Sequence, residues 1–102
     1  MEKWASAEKV MLGKPRSMPE LREEMNRINE QMLRLLNERA QVAVEIGEVK
    51  KRTGQPIVDG KREREIIAKM QEKNQGPVTD EQVARFFDQL FQIAKELQAE
   101  RR

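Results

Sequence analysis

The chain has no cysteine, no histidine and no tyrosine among its 102 residues, and only one tryptophan and three phenylalanines. Without cysteine there is no disulfide framework and no thiol nucleophile. Lacking histidine as well, it cannot build the usual zinc sites or the Ser–His and Cys–His nucleophile pairs. No apolar run approaches the ~18 residues that span a membrane, and no apolar targeting segment follows the start. An excess of one sign of charge is also missing. Twenty basic side chains face 18 acidic ones, so a pI near 9.1 reflects an even mixture and not a basic patch suited to nucleic acid. The expectation is a cytoplasmic protein with neither a membrane nor a nucleic acid as partner.

What the chain has in quantity is charge. Charged residues and hydrophobic residues each make up 37%. That balance, at this length, suits one domain of exposed helices better than a compact α/β globule. Residues 1–18 stand apart: Gly13, Pro15 and Pro19 punctuate them, and Trp4, Val10, Met11 and Leu12 keep no sustained period. They read as an N-terminal arm, with residues 19–102 as the helical domain.

From Leu21 onward a pattern sets in. Leu21, Met25, Ile28, Met32, Leu35, Arg39, Val42, Ile46 and Val49 succeed one another at spacings of four and three, a heptad stripe. No proline falls between Pro19 and Pro56, and Gly54 is a suitable stop. The spacing predicts one helix over residues 20–53, roughly 50 Å long. A second helix starts after Asp59, carries Ile66, Ile67 and Met70 on its apolar face and ends at Asn74-Gln75-Gly76-Pro77. A third opens with the capping-box pattern Thr79-Asp80-Glu81-Gln82 and continues through Val83, Phe87, Leu90, Ala94 and Leu97. No segment alternates like a strand.

These lengths conflict with a monomer. A compact domain of about 100 residues has a radius of gyration near 13 Å, so a helix of about 50 Å must protrude from it. Its apolar stripe nevertheless runs to both ends, and the two shorter helices cannot cover it. The sequence therefore predicts an all-α fold of three helices per chain in a homodimer that shares its core. A plain coiled-coil dimer satisfies the same argument.

Polar residues in apolar faces are the candidates for function. Arg39 occupies a heptad core position, where a guanidinium without an anionic partner costs several kcal/mol. It requires a carboxylate or phosphate, which an internal glutamate or a ligand could supply, or it sets the register of packing. Lys50 lies eleven residues on, about three turns and 16 Å along the same face. Ala43 and Gly47 between them would leave room for a small dianion, although Gly47 equally suits close helix packing and Lys50 a solvated helix end. Gln98 falls on the face of Phe87, Phe91 and Ala94, where a buried amide must find partners unless the helix frays there. Arg22 lies 17 residues from Arg39, roughly 25 Å away, so one small ligand can touch both only if an antiparallel partner helix delivers the second Arg22. Asp59-Gly60-Lys61-Arg62-Glu63 reads equally as a cap with mixed surface charge.

Taken in order, the segments Leu21-Arg22-Glu23-Glu24-Met25, Leu35-Leu36-Asn37-Glu38-Arg39-Ala40, Glu45-Ile46-Gly47-Glu48-Val49-Lys50, Gly54-Gln55-Pro56-Ile57-Val58-Asp59, Arg62-Glu63, Asn74-Gln75-Gly76-Pro77 and the last helix through Gln98 resemble the all-helical (AroQ) class of chorismate mutase. The resemblance spans residues 20–98. It implies three helices per chain, an intertwined homodimer with two equivalent sites, and rearrangement of chorismate to prephenate on the route to phenylalanine and tyrosine. It implies no metal and no cofactor. By the same resemblance, Arg22 from the partner subunit and Arg39 bind carboxylates. Lys50 contacts a carboxylate and the ether oxygen, and Gln98 donates to that oxygen. Asp59 and Glu63 hold the region of the ring hydroxyl, and Arg62 lines the pocket. Ala94 stands where related enzymes place a serine. Two other readings stay open: a non-catalytic dimerisation or regulatory domain partnering a shikimate-pathway synthase, to which similar domains are fused, and an isochorismate pyruvate lyase.

Overall fold

The computed structural model describes residues 15–101. The arm expected over residues 1–18 falls, as far as residue 14, outside the described residues. Three helices follow: α1 (Met18–Thr53), α2 (Gly60–Lys73) and α3 (Asp80–Glu100). No strand occurs among the described residues. Among the described residues no helix is long and apolar enough to cross a membrane.

Local chemistry sets the ends. The helix α1 begins two residues before the predicted start, because Ser17 caps it. The Glu20 amide donates to the Ser17 hydroxyl at 3.3 Å, and the Ser17 amide donates to the Glu20 carboxylate at 2.8 Å. Pro19 therefore sits inside the first turn, where its missing N–H is no loss, instead of preceding the helix. At the other end Gly54 takes a left-handed φ of 74°, which a residue with a Cβ rarely adopts, and its amide donates to the Lys50 carbonyl. Asp59 caps α2 by accepting the Arg62 amide at 3.1 Å, and Thr79 with Gln82 forms the capping box of α3.

The hydrogen bonds from the Ser17 backbone and hydroxyl hold the Glu20 carboxyl below the usual carboxylate range, and the Arg16 side chain does the same at Glu24. A depressed folded-state value means that this stabilisation is complete above the unfolded glutamate value of ~4.3 and is lost as pH falls through the lower folded value. Glu20 is exposed and Glu24 only partly covered, so the effect is small. An acid titration followed by far-UV circular dichroism should show the first turn of α1 loosening below that range, and Glu20→Gln should remove part of the acid dependence; identical acid profiles for the two proteins would contradict this account.

The helix α3 packs against both α1 and α2, while α1 and α2 do not approach each other closely. A cleft opens between them as a result. The chain is long and thin, 57 × 26 × 15 Å, with a radius of gyration of 17.7 Å against the ~13 Å of a compact chain of this length. Its interior is correspondingly slight. Among the described residues Ala43, Gly47 and Phe91 are buried, with Gln98 the buried polar one.

Two faces of α1 now separate. Leu36, Ala40, Ala43 and Gly47 turn toward α3. The heptad stripe lies beside them and is uncovered: Met25 is 57% exposed, Met32 51%, Leu35 62% and Val42 54%. Arg39 sits at the border. It completes the heptad spacing, yet its side chain leans to the α3 side.

Candidate active site

The cleft bounded by the three helices and the loop after α1 has a volume of about 520 Å³, in the range of small-molecule sites. From α1 it takes Arg39, Val42, Ala43, Ile46 and Lys50; from the loop, Ile57 and the cap residue Asp59; from α2, Arg62, Glu63 and Ile66; and from α3, Phe91, Ala94, Lys95 and Gln98. Six of the seven residues singled out in the sequence thus meet in one place. Arg22 does not. It is exposed on the N-terminal half of α1, away from the cleft lining.

Each polar group is held in a definite way. The Arg39 guanidinium carbon stands 5.7 Å from the centroid of the Phe91 ring, a cation–π contact that steadies the side chain. Among the described residues no carboxylate lies within salt-bridge distance of it, so the internal Arg39–Glu pair is not formed. The Lys50 ammonium donates to the Ile57 carbonyl at 2.9 Å. That bond uses one of three N–H groups and keeps the ammonium part-buried beside the cleft, not free in water as at a solvated helix end. The Asp59 Oδ1 is engaged by the Arg62 amide, so this carboxylate is fixed by its duty as a cap.

Gln98 is 6% exposed and does not fray. Its Nε2 donates to the Ala43 carbonyl across the α1–α3 interface at 2.9 Å. A carbonyl only accepts, so the nitrogen must be the amide atom facing α1, and a second N–H remains for the cleft that Gln98 lines. Gly47 makes this possible. A Cβ at position 47 would lie 2.7 Å from Gln98 Cγ and 3.2 Å from its Cβ. The space beside Gly47 is therefore filled by the glutamine stem and is not open to a ligand; of the two readings of this glycine, close packing is the one realised.

Two lining residues escape a reading of the sequence alone. Periodicity marks Phe91 as core, yet it is also the platform for Arg39. Lys95 carries no signal of its own, although it lies four residues after Phe91 and three before Gln98, a spacing that puts all three on one face. Its ammonium pairs with Glu63 Oε2 at 3.0 Å and Oε1 at 3.4 Å.

The class of protein follows from this geometry: over the described residues, an all-helical fold that gathers cations and one buried, neutral amide donor around a cleft. Residues 21–99 match the sequence profile of chorismate mutase type II. The form II structure of chorismate mutase from Thermus thermophilus superposes with a TM-score of 0.79 at 36% identity, over 80% of this chain and 93% of that one. The bifunctional chorismate mutase/prephenate dehydratase of Aquifex aeolicus is 53% identical over 53 residues, 52% of this chain. Its counterpart in Neisseria gonorrhoeae is 44% identical over 70 residues, 69% of this chain. The chain spans only 15% and 19% of the lengths of these two relatives. It belongs to the chorismate mutase type II family.

Proposed function

We propose that the chain catalyses the rearrangement of chorismate to prephenate in aromatic amino-acid biosynthesis, as a homodimer in which each cleft is completed by Arg22 of the other subunit. The observation that carries this reading is the convergence of Arg39, Lys50 and the buried Gln98 amide on one cleft of about 520 Å³. The reaction is an intramolecular Claisen rearrangement: one C–O bond breaks as one C–C bond forms, and no proton or group is exchanged with the protein. It calls for restraint of a flexible dianion in a chair-like diaxial shape. It also calls for donors at the ether oxygen, where negative charge grows. Arg39 and the partner's Arg22 clamp the two carboxylates. Lys50 reaches a carboxylate and the ether oxygen, and Gln98 donates its second N–H to that oxygen. Asp59 and Glu63 face the ring hydroxyl, with Arg62 beside them. Each well-aimed donor contributes about 3–4 kcal/mol to lowering the barrier.

The dimer is supported by the uncovered stripe on α1, whose length and continuity match a second copy of the same helix. A subunit-mixing experiment tests both parts together. Arg22→Ala and Arg39→Ala proteins, each nearly inactive, are mixed after reversible dissociation. A hybrid dimer then holds one intact cleft, built from Arg39 of one chain and Arg22 of the other. With random pairing, about one quarter of wild-type chorismate turnover should return. If Arg22 acted within its own subunit, mixing would restore nothing. A wild-type chain that is fully active as a monomer in sedimentation would refute the shared site.

A further inference from the structure

We infer that Lys95 is a positioning residue of the cleft: it holds the Glu63 carboxylate to α3 and offsets its charge, so that the cleft lining stays net positive toward a doubly negative substrate. The inference rests on the proposed mutase reading and adds to it a residue with a stated task.

The charged groups lining the cleft are four cations, Arg39, Lys50, Arg62 and Lys95, and two anions, Asp59 and Glu63. The chain's own lining thus carries an excess of two positive charges, to which the partner's Arg22 would add a third, and removing Lys95 lowers that excess by one. Glu63 is the anion that most needs this neutralisation. Asp59 is committed to the N-terminus of α2, where the Arg62 amide and the helix dipole offset it. Glu63 lies four residues further on, where the dipole is weaker, and Lys95 reaches it from α3, 32 residues away in sequence, with contacts to both carboxylate oxygens. Their side chains are 29% and 25% exposed, so the pair is shielded more than an ordinary surface pair. Lys95 also bridges α3 to α2 on the same face that carries Phe91 and Gln98, which ties the position of Glu63 to the helix bearing the amide donor.

Without Lys95, Glu63 would stand unpaired before an incoming carboxylate and would be free to swing toward the cations meant for the substrate. The loss should therefore appear in binding. Lys95→Met keeps the stem and the helix propensity while removing the charge. Four proteins are compared with chorismate as substrate: wild type, Lys95→Met, Glu63→Gln and the double variant, with circular dichroism and sedimentation to verify folding. Lys95→Met should raise KM about tenfold and leave kcat within about threefold, the signature of lost uniform binding. In the Glu63→Gln background the same change should raise KM less than about twofold, because no carboxylate remains to neutralise. Lys95→Arg should restore most of the affinity, and it serves as the reference if Lys95→Met fails to fold. An unchanged KM in Lys95→Met, or an equal rise with and without the Glu63 carboxylate, would overturn the inference. Wild-type turnover of chorismate is measured first; its absence would instead sink the mutase reading and this inference with it.

Discussion

Arg39→Ala should lower kcat/KM for chorismate by at least 10²–10³-fold while the chain stays helical and keeps its association state. The guanidinium lies over Phe91 at the border of the cleft, with its planar fork available to a carboxylate. A lysine has no such fork, so Arg39→Lys should recover only part of the loss. The structural consequence is small for a definite reason. Arg39 has no carboxylate partner within salt-bridge distance among the described residues, so its removal strands no buried anion. Alanine is also the best helix former. What disappears is the cation–π contact, worth about 0.5–1 kcal/mol at a partly exposed site. Steady-state kinetics alongside circular dichroism and sedimentation decide the matter. Near-wild-type turnover in Arg39→Ala would mean that the cleft described above is not the active site.

The second large effect comes from the smallest change. Gly47→Ala should lower kcat by ~10²-fold or more, approaching the loss in Gln98→Ala. Helix propensity alone favours the alanine by ~1 kcal/mol. Against this, the new methyl would lie 2.7 Å from Gln98 Cγ, closer than real contacts allow, and the glutamine is buried with little room to retreat. The stem must shift, and the amide leaves the Ala43 carbonyl and its aim into the cleft. Overpacking and the lost amide–carbonyl bond offset the gain in helix propensity, so the fold should be modestly less stable while the reaction slows far more. Because both substitutions act through one amide, the double variant should be no slower than Gln98→Ala alone. The amide is neutral at every ordinary pH, so kcat/KM should not fall through titration of this donor between about pH 5 and 9. A steep fall near neutrality that Gln98→Ala abolishes would contradict the role given to it.

The three helices are legible in the sequence because their signals are local. Gly54, Asp59 and the Thr79–Gln82 box mark ends within a few residues, and the four-and-three spacing marks faces. The Ser17 cap escapes because Pro19 reads as a break in one dimension, although a first helical turn accommodates it. Arg39 and Gln98 are legible as polar residues on apolar faces, which is an anomaly of pattern. What the pattern cannot supply is the partner across the helix interface. The Ala43 carbonyl, the Gly47 gap and the Glu63 carboxylate become neighbours of α3 only through packing. Lys95 stays silent for a related reason: a lysine on a charged helix breaks no rule until the residue opposite it is known. The family resemblance supplies the order of the motifs, and the cleft supplies the contacts between them.

The bond from Lys50 to the Ile57 carbonyl has a consequence for how this fold can vary. Most surface connections accept an added or deleted residue, since closing a longer loop adds little entropy. Here the five residues between α1 and the cap of α2 do more than join two helices. They fix the distance from the last turn of α1 to the carbonyl that steadies its lysine. On the proposed reading, an insertion between Gly54 and Val58 should leave the helices formed and still lower turnover, because it would displace the carbonyl that holds Lys50.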